Sequence, residues 1–383
     1  MQAIPYPAAP FVVAIPACNE AARIEPCLRA LAAQRGARCD HVVVLLNNCT
    51  DGSATLLERI EPGLGVPLTI AVRDFPPEMA DAGHARSHAM SLAAGIAGPD
   101  GIIATTDADG VVASDWIANT RAAFALGVEV VCGRAVIDPL EALSISSALH
   151  QDDARETAYG SLLDAIHALV DPDLSDPLPR HAEQSGASIA VTVAAYVRAG
   201  GMPPLPSGED RGFVQALRAV DARIRHARDV HVTVSGRLEG RAAGGMADTM
   251  ARRMVQQDIM LDADLEAPSA CLRRARLRAR TRAVWATMQD PSASWLVQVR
   301  SLAREAGLPA ASVLVWLRTP YCGQAWNRIE AESPLLVKAP VSRLALDWHK
   351  AAAERILTSL RNGIPNDVAD PAGIGPDARL HLA

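Results

Sequence analysis

Lysine is nearly absent from this 383-residue chain: Lys338 and Lys350 are the only two among 37 basic residues. Beside so much alanine, that scarcity reads as a compositional bias of the genome and not as a functional signal. The formal net charge of −6 argues against a nucleic-acid protein held by general electrostatics, although a local basic patch stays open. Aromatic residues are only 4% of the chain, yet hydrophobic residues are 49%, ample for a core built from aliphatic side chains. The seven cysteines, at 18, 27, 39, 49, 132, 271 and 322, are odd in number and form no Cys-x-x-Cys. A disulfide framework or thiolate zinc site is therefore not expected, and reduced thiols are. The opening Met-Gln-Ala-Ile-Pro-Tyr-Pro has no basic stretch followed by an apolar core, so no signal peptide is expected. No uninterrupted apolar run reaches about 18 residues, so no transmembrane helix is expected either. These absences together predict a soluble cytoplasmic protein.

What is present is a rhythm. Apolar strand signals at Phe11–Ile15, His41–Leu46, Pro67–Val72, Gly101–Thr106 and Val128–Cys132 alternate with helical patterns near Glu20–Gln34, Ala54–Ile60, Gly83–Ala97 and Asp115–Ala125. Such alternation predicts βαβ units and a mostly parallel sheet. Ile137–Asp171 reads as one long helical stretch or two helices, Gly186–Ala195 as an extended apolar segment, Glu209–Ala219 as a helix and Asp229–Val234 as a last strand. From about Ala242 to Leu360 only helices are expected, and the Pro-, Gly- and Asp-rich end reads as disordered. Length favours one large α/β domain with an appendage.

The most informative stretch is Gly101-Ile-Ile-Ala-Thr-Thr-Asp-Ala-Asp-Gly-Val-Val. It puts Asp107 and Asp109 at the carboxyl end of a strand, where open α/β sheets bind ligands. Paired hard oxygen ligands suit Mg²⁺ or Mn²⁺ carrying substrate phosphates, whereas an isolated Asp-x-Asp is more readily an acidic turn. Four more clusters lie near strand ends: Ile15-Pro-Ala-Cys-Asn-Glu, Asn47-Asn-Cys-Thr-Asp-Gly-Ser, Gly83-His-Ala-Arg-Ser-His and Ser207-Gly-Glu-Asp-Arg. Taken singly, these are helix caps, a surface arginine and acidic decoration of a helix N-terminus. Together they describe one crevice in which polar side chains hold a nucleoside, Arg86 neutralises a diphosphate and Asp109 holds a metal on the same phosphates.

This order of motifs resembles the family 2 glycosyltransferases, which have the GT-A fold, over roughly Pro10 to Arg241. Tyr196-Val-Arg-Ala-Gly-Gly-Met and Gly208-Glu-Asp supply its second half. The resemblance implies a twisted mixed α/β sheet flanked by helices and followed by an all-helical C-terminal region. The implied domains are a GT-A domain over 1–242 (donor half about 10–135, acceptor half about 136–242), helices over 243–361 and a disordered tail over 362–383. It implies transfer of a sugar from a nucleotide diphosphate sugar to a hydroxyl acceptor, assisted by Mn²⁺ or Mg²⁺. Pro16, Asn19, Glu20, Asn48 and Asp51 would line the nucleotide, Asp107 the ribose, and Asp109 the metal. His231 would join the metal as a later histidine does in some relatives, against the alternative of a satisfied strand histidine. Asp210 would be the general base, with Glu209 beside it, and the anomeric centre would invert; retention is the runner-up.

The Gln-x-x-Arg-Trp of processive synthases is missing, and Ser235-Gly-Arg-Leu-Glu-Gly-Arg occupies its place, where Arg237 and Arg241 hold a phosphate or carboxylate or else merely connect to the helices. The arginine run from Cys271 to Arg282 reads as a solvated helix face balanced by acidic partners, in preference to a membrane surface. A nucleotide-binding regulatory protein without turnover is the alternative of another class. A nucleotidyltransferase is disfavoured because Ile15–Glu20 is neither Gly-rich nor basic.

Overall fold

The computed structural model of the chain describes residues 8–240, 245–288 and 293–363. Arg241 and most of the expected tail, 364–383, lie outside the described residues. The described residues fall into two compact units, one built from the chain up to Ser146 together with Pro179–Val255, the other from Ser147–Leu178 with the residues from Gln256 onward.

The first unit is built on one eight-stranded sheet: β1 (Phe11–Ala17), β2 (His41–Asn47), β3 (Leu68–Arg73), β4 (Ile102–Thr105), β5 (Val111–Val112), β6 (Val130–Ile137), β7 (Ile189–Thr192) and β8 (Ile224–Val234), in the order β3-β2-β1-β4-β7-β6-β8-β5. β3, β2, β1 and β4 are parallel neighbours. β7 runs antiparallel to both β4 and β6, β6 is parallel to β8, and β5 is antiparallel to β8. The sheet is therefore mixed, with two reversed strands, as the resemblance implied.

The alternating apolar residues of β1 and β2 feed two separate cores, because successive side chains point to opposite faces. Phe11, Val13 and Ile15 pack with α1 (Ile24–Ala32), α2 (Ser53–Ile60) and α4 (Trp116–Ala125), while Val12 and Ala14 pack with α3 (Ala82–Ala97). Ala85, Ala89, Ala93 and Ala97 repeat at intervals of four along α3, so a stripe of small side chains lets this helix lie close to the strands. Within the first core the Trp116 ring stands edge-on to Phe11, and its Nε1–H donates to Ser188 Oγ at 2.8 Å.

Two expected segments take another form. The helical stretch expected over Ile137–Asp171 begins instead as the end of β6, then makes a 3₁₀ turn at Glu141–Ser144 before α5 (Ser147–Val170). Pro139 disfavours helical backbone at Asp138, and the Asp138 carboxylate accepts from the Leu140 and Glu141 amides. The expected extended segment Gly186–Ala195 is a strand only over Ile189–Thr192, because the Thr192 hydroxyl accepts from the Ala195 amide and starts α6 (Val193–Arg198). α7 (Glu209–Ala219) has the expected limits, and α8 is Met246–Val255.

The second unit is helical: α5, α9 (Pro268–Ala286), α10 (Ala293–Glu305), α11 (Ala310–Trp316), α12 (Cys322–Glu332) and α13 (Leu346–Arg361). The sequence boundary at 242 leaves α5 with the sheet. Its buried Tyr159, Leu163 and Ile166 pack instead with Cys271, Leu272, Leu346 and Ala353. The arginines of α9 are mostly cross-links here. Arg274 is buried, forks onto Glu266 through two bonds of 2.9 Å and reaches Glu330 at 2.6 Å. Arg278 and Arg282 both pair with Asp171. No helix among the described residues is long and apolar enough to cross a membrane.

One histidine ties pH to the stability of the first unit. His181 Nε2–H donates to the carbonyls of Cys132 and Ala227, and its Nδ1 accepts from the Glu183 amide at 3.1 Å. A proton on Nδ1 would meet that N–H head-on. Burial first, then the neighbouring His226, pushes the His181 pKa down to about 4. The unfolded chain thus takes up a proton near pH 6.5 that the folded chain refuses, so stability falls as pH drops from about 6.5 toward 4. Thermal melts are expected to show that fall, and His181→Gln to make its slope shallower. A residual slope is expected from His167, which burial also depresses to about 4.

Candidate active site

β1, β2, β4 and β8 all end at one edge of the sheet, and the reversed β7 begins there, Thr105 facing Ile189 in register. The segments that leave or enter this edge are 18–20, 48–52, 106–110, 186–188 and 235–237. Among the described residues, every one singled out for chemistry, apart from Arg86, His231 and the Glu209–Asp210 pair, lies on these segments or at a strand end beside them. α3 and α7 supply Arg86 and the acidic pair.

The first two loops are stitched to each other. Asn19, at φ 55°, accepts with Oδ1 from the amides of Thr50 (2.8 Å) and Asp51 (3.2 Å). Asp51 accepts from the amides of Ala21 and Ser53, both at 3.0 Å. Burial pushes the Asp51 carboxyl up, but these hydrogen bonds outweigh it and hold its pKa low. Asn48, at φ 48°, exchanges two hydrogen bonds with the Phe75 backbone. Asparagine tolerates the left-handed region these turns require. These polar atoms shape the loops, and Pro16 lies inside β1 opposite Leu45.

Arg86 sits at the centre, 6% exposed. Its Nε–H donates to Glu209 at 3.0 Å, one terminal nitrogen to Asp107 at 2.6 Å, and the other to the Thr105 hydroxyl (2.9 Å) and the Gly186 carbonyl (3.0 Å). Its expected partner is a diphosphate; four of its five N–H groups are bonded to the protein instead. Gly186 completes the link, since its amide donates to Asp210 Oδ2 at 3.0 Å. A Cβ at Gly186 would lie 2.7 Å from the Arg86 guanidinium carbon, so the close approach requires glycine. Asp210 Oδ1 accepts from the Arg211 amide at 2.7 Å. Of the two adjacent carboxylates, Glu209 is buried and paired, whereas Asp210 is half-buried and, among the described residues, held by two backbone donors.

A second guanidinium faces the first across the acidic strand end. Arg237 takes Glu20 with two bonds, of 2.5 and 3.0 Å, and approaches Asp109 at 3.2 Å. Its backbone is anchored: Glu141 accepts from the Ser235 hydroxyl and the Gly236 amide, and is itself held by Arg23 at 2.8 Å. Burial, and then the charge of Asp107, push the Asp109 pKa up to about 6 despite Arg237. Among the described residues, Glu20, Asp107, Asp109 and Glu209 share two cations, Arg86 and Arg237, so that with all four ionised the group carries a net excess of two negative charges. A hard divalent ion fits that excess and that oxygen donor set.

His231 is exposed on β8, where Val230, Val232 and Val234 on the alternate face enter the core. Arg237 is the residue that meets Asp109. Among the described residues, the one set of three His, Cys, Asp or Glu side chains close enough to share an ion is His167, Glu266 and Cys271, in the other unit, and Glu266 there is already forked by Arg274. Sequence reasoning missed Thr105, Gly186 and Glu141. Each is an ordinary residue in an apolar or turn context, and nothing local marks it.

Residues 12–192 match the family model described as glycosyl transferase family 2. Among solved structures, the mannosyltransferase PcManGT from Pyrobaculum calidifontis, in complex with GDP-Man and Mn²⁺, is 18% identical, covering 100% of this chain and 81% of its own, with a TM-score of 0.42. S. aureus TarS 1-349 in complex with UDP-GlcNAc is 15% identical over 93% of this chain and 92% of its own, at 0.45. Glucosyl-3-phosphoglycerate synthase from Mycobacterium tuberculosis, in complex with Mn²⁺, UDP and glucosyl-3-phosphoglycerate, is 15% identical over 65% and 78%, at 0.37. No curated protein matches the chain.

Removing Arg86 strands a buried carboxylate. Arg86→Met is expected to cost about 3–5 kcal/mol, the range for breaking a buried ion pair by deleting one partner. Chemical denaturation measures it; a loss below about 1 kcal/mol would mean that solvent screens Glu209 and Asp107 as it does surface pairs.

Proposed function

Residues 12–192 belong to glycosyl transferase family 2, and on that premise we propose that the chain moves a sugar from a nucleoside diphosphate sugar to an acceptor hydroxyl, with inversion. The observation that carries this reading is that Asp107 and Asp210 are joined at one edge of the sheet through Arg86 and Gly186, with Asp109 two residues beyond Asp107 and held by Arg237. A regulatory protein without turnover has no need of a polar carboxylate oriented by two backbone amides beside an acidic, undercompensated strand end.

In this mechanism the loops after β1 and β2, stiffened by Asn19, Asn48 and Asp51, form the wall against which the nucleoside lies. Asp109, with Asp107 beside it, would hold Mn²⁺ or Mg²⁺; such an ion, when bound, supplies Lewis-acid stabilisation of the departing diphosphate. His231 is left out of that set because no contact ties it to Asp109. Arg86 does not neutralise phosphate; it is a positioning residue that fixes Asp107 and the start of α7. Asp210 accepts the proton of the acceptor hydroxyl as the oxygen attacks the anomeric carbon, and its two backbone donors fix the direction of that carboxylate. Glu209 cannot share this work while its carboxylate faces Arg86.

Two outcomes follow. Asp210→Asn should lower the rate of sugar transfer by about 10²–10⁴-fold, the usual contribution of a general base, with nucleoside diphosphate affinity unchanged by calorimetry. Near-native transfer by this variant would remove Asp210 from the chemistry. Nucleoside diphosphate should also bind more tightly with Mn²⁺ than with chelator, and Asp109→Ala should abolish that difference. Equal affinities in the parent protein would refute the metal reading.

A further inference from the structure

Arg237 stands where the reading of Asp109 as a metal ligand needs a cation. One of its terminal nitrogens contacts both Glu20 and Asp109, and the other contacts Glu20. A guanidinium in that place supplies one positive charge to two carboxylates, which is the function a divalent ion would perform for the same oxygens. A guanidinium and a divalent ion at that Asp109 carboxylate repel each other, so each weakens the other's hold on it.

The way Arg237 is mounted separates its backbone from its head group. Glu141 grips the chain at Ser235 and Gly236, and Arg23 grips Glu141. The Arg237 side chain keeps 21% of its surface exposed, while Glu20 keeps only 6%. The stem is therefore fixed at its base while its fork lies at the open side of the cluster. An arginine fork matches phosphate as well as carboxylate in geometry. A diphosphate arriving at Asp109 would offer Arg237 a more highly charged partner within reach of the same anchored stem.

We propose that Arg237 is a tethered counter-ion that competes with the divalent metal for Asp109 in the free protein and transfers to the diphosphate when the donor binds. The inference rests on the reading that Asp109 takes a metal and the edge takes a diphosphate. Its consequence is coupling. In the free protein Arg237 keeps metal affinity low; with nucleotide bound, the guanidinium leaves Asp109 and metal affinity rises. Metal and nucleotide then enter together, and by linkage each strengthens the other by the same factor.

The experiment titrates MnCl₂ into the full chain, alone and with UDP or GDP, following free Mn²⁺ by electron paramagnetic resonance and nucleotide binding by calorimetry. Arg237→Gln is expected to bind Mn²⁺ about tenfold more tightly than the parent without nucleotide, and nucleotide about tenfold more weakly, the scale of one charged hydrogen bond. Arg237→Lys keeps the charge but cannot fork, and is expected to lie between the two in both titrations. Melting curves establish that each variant is folded; should Arg237→Gln fail to fold, Arg237→Lys carries the test with the same signs. If the parent binds Mn²⁺ with nucleotide but neither variant tightens Mn²⁺ binding without it, the competition is refuted and the metal reading stands. If the parent binds no Mn²⁺ even with UDP and GDP, the metal reading fails and takes the competition with it.

Discussion

A single buried guanidinium holds this cleft together. Arg86 bonds to α7, to the strand end of β4 and to the turn that starts β7. Those three parts come from opposite halves of the sheet sequence, and without Arg86 they would present carboxylates to each other. The desolvation cost of burying a charge is offset only when it is paired and fully hydrogen-bonded. Arg86 comes close to that condition with four partners, two of them carboxylates, which is why the geometry and the stability of this edge cannot be changed independently.

The reversed strand β7 makes the arrangement possible. In an all-parallel sheet, only segments leaving strand ends reach the ligand edge. With β7 antiparallel to β4 and β6, a segment entering a strand reaches it as well, and that segment carries Gly186. A backbone without a side chain thereby comes between Arg86 and Asp210 and passes one's orientation to the other.

Much of this was legible in the sequence where the signal is local. Continuous apolar runs mark β1 and β2 nearly to their ends, the apolar strand before Asp107 and Asp109 locates β4, and the Ser-Gly-Glu-Asp turn locates the start of α7. What stayed hidden was pairing at a distance. Arg86 lies 123 residues from Glu209 and 100 from Gly186, and Arg237 lies 217 from Glu20; no local propensity encodes such partners. Hence Arg86 reads from sequence as a phosphate ligand, although four of its five N–H groups bond to the protein. The two-residue β5 is too short for any periodicity. The arginine run of α9 looks like a solvated face because Asp171 and Glu330, which pair with it, come from other parts of the chain, and Glu266 lies just outside the helix.

The placement of α5 has a consequence for modularity. The chain leaves the first unit after β6, contributes α5 to the helical unit, and returns to make β7 between strands already described. Neither unit is a continuous stretch, so no single cut separates them. A chain ended after Val255 would keep the whole sheet yet carry a 24-residue helix whose Tyr159, Leu163 and Ile166 had lost the α9 and α13 residues that cover them. Such uncovered apolar surface invites association and degradation. The sheet unit of this molecule is thus not a cassette that can be exchanged by fusion at its ends; helices late in the chain cover the apolar face of a helix that lies between two of its strands in sequence.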